Sequence, residues 1–113
     1  MATDKYTSLL LEVEDTFDLS GIGLVVAPLL ELPDDFRPQK LSVLLQTLDG
    51  AEKELIAQLT MPHFRYTSGE SGFRLQIGFP GYSKDEVPVG SKILISTEAA
   101  KLFERRPNPS NTQ

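Results

Sequence analysis

From residue 7 to residue 14 apolar and polar positions alternate, with Leu9, Leu11 and Val13 on one face and Leu10, Glu12 and Glu14 on the other. That is the period of a half-buried strand, with Leu10 out of phase. The stretch 24–32 (LVVAPLLEL) is apolar on both faces at its start, and Pro28 places its middle at an edge or a bulge. Between these two, EDTFDLSGIG breaks the strand pattern with Gly21 and Gly23. Glycines inside a strand mark a bulge, a tight bend or a close backbone approach. Residues 33–38 (PDDFRP) form a loop bounded by prolines. The stretch 40–48 is a strand, Asp49-Gly50 is a hairpin signal, and 53–61 is the partner strand. Helix formers over 51–59 leave a helix as the alternative there, and the Asp-Gly pair decides for the hairpin.

Residues 62–72 read as a strand end followed by a loop. FRLQIGF (73–79) sets Phe73, Leu75, Ile77 and Phe79 against Arg74, Gln76 and Gly78, the cleanest alternation in the chain. Ser83 and Glu86 have capping-box spacing, which predicts a helical turn that Pro88 ends. A last strand covers 91–96, and TEAAKLFERR predicts a short C-terminal helix capped by Ser96 or Thr97. PNPSNTQ has the composition of a disordered tail, which divides the chain into one β domain over 1–104 and a tail over 105–113. Six or seven short strands separated by glycine and proline turns predict an all-β domain, a small barrel or sandwich. A closed antiparallel barrel leaves no exposed edge, which suits a chain with prolines and few edge lysines.

At 113 residues the chain is of single-domain size, with enough core to need no metal or disulfide staple. It has no cysteine, which excludes disulfides, thiol nucleophiles and thiolate metal sites. Its net charge of −5 disfavours free nucleic acid and anionic membrane as partners. No stretch reaches membrane-span length and no secretory signal is recognisable, so a cytoplasmic location is expected. Neither a Walker-type loop nor a full GxGxxG occurs, so no nucleotide or other cofactor is expected.

LLLEVEDTFDLSGIGLVV (9–26) resembles the start of the second domain of translational GTPases of the elongation factor Tu type. There an apolar strand, an acidic pair, an aromatic and Gly-x-Gly lead into a valine-rich strand. SGESGFRLQIGFPGYSKDEVPVGSKILIS (68–96) is similar to that domain's closing segment, in the right order. Together the two cover about half the chain. The resemblance implies a closed, Greek-key-like barrel of six or seven antiparallel strands in which Gly21, Gly23, Gly81 and Gly90 serve turns. In that family the barrel helps hold the aminoacyl end of tRNA, and the acid and aromatic that take part match Glu14 and Phe17. Other contacts are replaced. The family's threonine and asparagine align with Ala27 and Arg74, its following arginine with Pro80, and the basic residue between the glycines with Ile22.

The remaining candidates for chemistry are few. Glu12, Glu14 and Asp15 offer carboxylates for acid–base work, but no second pair or general acid accompanies them. Their plain reading is a solvated strand face. His63 is the only histidine, which leaves no transition-metal site. HFRYTSGESGFR (63–74) interleaves Phe64, Tyr66 and Phe73 with Arg65 and Arg74, a composition shared by stacking platforms for single-stranded RNA and by core aromatics with solvated arginines. Tyr82 is expected on an exposed turn as an interface residue. The sequence therefore predicts a non-catalytic module that binds another protein through a surface around Glu14, Phe17, Arg65, Tyr66, Arg74 and Tyr82. An RNA or tRNA-end binder, and more remotely a carboxylate hydrolase, are the alternatives.

Overall fold

In a computed structural model of the chain, the structure describes residues 5–33, 36–65, 69 and 71–103. The proposed tail over 105–113 lies outside them. Among these residues nine strands form, β1 (Ser8–Glu12), β2 (Asp15–Leu19), β3 (Gly23–Leu30), β4 (Gln39–Gln46), β5 (Glu52–Thr60), β6 (His63–Arg65), β7 (Ser71–Phe73), β8 (Leu75–Phe79) and β9 (Lys92–Ile95). Seven of them make one antiparallel sheet in the order β1-β9-β4-β5-β8-β3-β2, and β6 pairs with β7 in a separate ribbon. The β6–β7 ribbon is not predicted by the sequence, whereas the all-β class and the seven strands of the main sheet, within the six or seven expected, agree with it.

Closure does not. The sheet curls into a half-barrel whose terminal strands are β1 and β2. Only Val13 and Glu14 separate β1 from β2. The two strands run end to end around a corner instead of side by side. There the Val13 N–H donates to the Ser91 carbonyl on the β9 side (2.8 Å), and the Glu14 N–H donates to the Ala27 carbonyl of β3 (2.8 Å).

Local signals explain most of the elements. β4 and β5 pair over their full length from Gln39↔Leu59 to Gln46↔Glu52. The connecting loop closes with the Gly50 N–H on the Thr47 carbonyl, and Gly50 takes φ +89°, the three-residue hairpin loop that ends in a left-handed glycine. The Thr47 hydroxyl and the Ala51 N–H both donate to the Asp49 carboxylate and hold it below the ordinary carboxylate range. Ser83–Glu86 forms the predicted turn, with the Glu86 N–H on the Ser83 carbonyl (3.0 Å). The C-terminal helix α1 (Thr97–Ala100) starts at Ser96, whose hydroxyl accepts from the Ala99 N–H at 3.0 Å, and passes into a 3-10 turn over Lys101–Phe103.

Two phases differ from the sequence reading. In β1 the register with β9 slips between Leu9 and Leu11, leaving Leu10 as an extra residue. This bulge turns Leu9 outward, 56% exposed, while Leu10 packs against the core. Phe73 does not continue the inner row of β8. It ends β7, is 55% exposed, and packs at 4.9 Å between ring centroids on His63, its partner across the ribbon.

The core fills the concave face, with Leu24, Leu59, Ile77, Phe79, Ile93 and Val87 at its centre. Part of the convex face is covered as well. Leu44 is buried there, and its ladder neighbours are Glu54 and Leu94. The segment before β1 crosses this area, and the buried Tyr6 donates its hydroxyl to Glu54 Oε2 at 2.6 Å. Burial first, and then that hydrogen bond, raise the Tyr6 phenol above its ordinary value of 10.0. Its stabilising contribution is complete below the unfolded-chain value and is lost as pH rises through the higher folded value. Tyr6→Phe is expected to cost about 1 kcal/mol at neutral pH and to flatten the loss of stability in the alkaline range. Urea unfolding on both sides of the phenol's titration checks both parts. An unchanged alkaline slope would mean that another group governs it.

Candidate functional site

The rest of the convex face lies over β2, β3, β8 and β5. The register aligns Phe17, Val25, Gly78 and Gln58 in one rung across these four strands. Neighbouring rung positions share a face, so a missing side chain at one position leaves a dent between its neighbours. Gly78 is that position. A Cβ there would sit 3.3 Å from the Leu24 carbonyl oxygen and 3.5 Å from Val25 Cγ1. A Cβ at this point would fit only if the Leu24 carbonyl gave way by a few tenths of an ångström.

Around the dent lies a groove of about 500 Å³. Gln58, Thr60 and Gln76 give it polar positions on the sheet. Ile22, Pro80, Met61, Pro62 and Pro38 contribute from the strand ends and the loops beside them. The turns position these residues. The β2–β3 turn closes with the Ile22 N–H on the Leu19 carbonyl (3.0 Å) and has Gly21 at its third position with φ +79°. After β8, Pro80-Gly81 turns with the Tyr82 N–H on the Phe79 carbonyl (3.1 Å). Gly23 lets the two turns meet, since a Cβ on it would lie 3.2 Å from Pro80 Cα. A smaller apolar cleft of about 290 Å³ adjoins the groove through the shared residues Val25 and Gln76, and Phe17, Leu19, Ala27 and Leu29 line it on the β2 side.

The residues singled out from sequence divide between places. Phe17 is 46% exposed and lines the smaller cleft together with Ala27, the position aligned with the family's threonine. Glu14 is exposed at the β1–β2 corner. Arg74 stands at the junction of the ribbon and β8, where its N–H donates to the Pro62 carbonyl (3.2 Å). Arg65 ends β6, and Tyr66 lies outside the described residues. Tyr82 is half-buried and stands edge-on to Phe79 with ring centroids 6.4 Å apart, so it serves the core as well as the surface. Glu12, Glu14 and Asp15 are all exposed; Glu12 faces Lys92 across the ladder, and the Asp15 carboxylate accepts the Thr16 N–H at 2.8 Å. Among the described residues no three His, Asp or Glu side chains come together as a cation site. Among them, too, no helix is long and apolar enough to cross a membrane.

Sequence reading missed the groove itself. Ile22, Pro38, Met61, Pro62 and Pro80 are individually ordinary loop residues. The one signal was Gly78 inside the most regular strand, where glycine marks a close approach.

Compared with family models, with curated proteins and with solved structures, the chain matches none.

Proposed function

We propose that this chain is a non-catalytic binding module, a β domain of the translation-factor second-domain type, that recognises another protein through the convex groove. The observation that carries the reading is the groove's chemistry: among the described residues, none that lines it is charged. Its volume is within the range of ligand sites, and the mix of apolar rim and a few polar groups suits an apolar segment of a partner. Ile22, 55% exposed, is held out at the rim by a tight turn and is the natural anchor. A track for RNA needs several Lys or Arg side chains converging on it, and a hydrolase needs an acid, base or nucleophile in the depression. Among the described residues Thr60 is the sole hydroxyl lining the groove.

The test is affinity capture of the tagged protein from cells that express it, with and without RNase, beside the double variant Ile22→Glu, Met61→Glu. Both positions are exposed, so the fold is expected to tolerate the change. A protein partner that survives RNase is expected, and its recovery should fall by roughly tenfold or more in the variant, the effect of desolvating charge in an apolar contact. Enrichment of RNA, or capture indifferent to both substitutions, would overturn the reading.

A further inference from the structure

The smaller cleft borders a second unpaired feature, the outer edge of β2. Among the described residues β2 pairs with β3 alone, so its other edge carries backbone groups without a strand partner. One of them is identified directly. The Thr16 N–H bonds to the carboxylate of the preceding Asp15 at 2.8 Å and not to β3. Alternation along an antiparallel strand sends the Asp18 backbone groups the same way. The Asp15 oxygen thus occupies the place that the carbonyl of an added strand would take.

Charge says what could be added. Between Lys5 and Arg37 the chain has no Lys, Arg or His, while Glu14, Asp15 and Asp18 are exposed along β2 and its corner. A second copy of this chain, pairing β2 with β2, would set these acids against one another, which destabilises a cross-strand contact. A basic segment meets the opposite situation. As its carbonyl accepts the Thr16 N–H, the Asp15 carboxylate is released to pair with a Lys or Arg of the newcomer. Side chains of an added strand alternate between faces, so every second residue would lie beside Phe17 and Leu19 over the apolar cleft.

We propose that the free edge of β2 is the docking edge for an extended segment of a partner protein, with apolar residues at alternate positions and lysine or arginine flanks, which joins the sheet as a further strand. This rests on the protein-binding reading above and names the partner's chemistry.

The test is an NMR titration of the isotopically labelled protein at low ionic strength with the blocked peptide Lys-Arg-Val-Thr-Val-Thr-Val-Arg-Lys. A second peptide has Glu and Asp in place of the basic flanks. The Thr16 and Asp18 amides are expected to shift and to become protected from hydrogen exchange with the basic peptide, and not with the acidic one. Asp18→Pro removes an edge donor and is tolerated where the N–H faces away from the ladder. It should weaken binding by roughly tenfold or more. Asp18→Lys keeps the backbone and reverses the charge, and should weaken it as well, so a folding defect in the proline variant leaves the test standing. Binding that ignores both variants, or a basic peptide that leaves the Thr16 and Asp18 amides unmoved, overturns the inference. If that happens while capture still depends on Ile22 and Met61, only the strand addition fails. If the capture fails too, the protein-binding reading falls with it.

Discussion

Replacing Phe79 by alanine is expected to lower the unfolding free energy by about 3–5 kcal/mol. The ring has no solvent exposure, belongs to the central core, and forms the wall against which Tyr82 stands edge-on. It is also the last residue of β8, paired with Leu24, immediately before the Pro80-Gly81 turn. The backbone there is fixed on both sides, so the site cannot collapse easily and the cavity term should stay large. Against a typical total of roughly 5–15 kcal/mol this is a large share. Denaturant unfolding would read it as a lower midpoint at unchanged slope, and the melting temperature should fall by roughly 2–8 °C for each kcal/mol lost. A change below about 1 kcal/mol would mean that this end of the core is loosely packed.

The second large effect belongs to Gly23→Ala. Its φ of +103° lies well to the positive side, and a Cβ would meet Pro80 Cα at 3.2 Å, a backbone atom that cannot rotate away. Strain of about 1–3 kcal/mol follows from the dihedral alone, with the contact adding to it. Gly21→Ala is the control. It shares a positive φ, +79°, but a Cβ there has nothing within 4 Å, so its cost should stay near 1–2 kcal/mol. The two variants measured side by side separate dihedral strain from the contact. Equal losses would remove the Pro80 contact from the account. A larger loss at Gly23 should be accompanied by weaker partner capture, because Pro80 forms part of the groove.

These residues also show how far the sequence could be read. The β4–β5 hairpin was legible because the Asp49-Gly50 turn and the strand periods agreed. The C-terminal helix was legible because Ser96 is a good N-cap. The phase of β1 was visible only as a discordant Leu10, which alternation alone cannot convert into a bulge. Phe73 fitted the β8 pattern by period, yet the chain leaves that ladder at Arg74 to make the β6–β7 ribbon, a choice decided by pairing partners far along the chain. Closure of the sheet could not be read at all, since it depends on how β1 and β2 are disposed in space. The same holds for the groove, which assembles residues between Gly21 and Pro80 with no local motif in common. Phe17 was singled out from the sequence by resemblance to a family motif and lies at the smaller cleft, whereas Leu29, which lines the same cleft, gave no sign.

The position of β9 bears on how the protein is made. It lies between β1 and β4, although most of the chain separates it from β1 in sequence. Until residues 92–95 have left the ribosome, β1 has no ladder partner and β4 presents a bare edge next to a finished hairpin. The domain can therefore close its core only once β9 has emerged, and the growing chain is most exposed to mispairing just before that strand arrives.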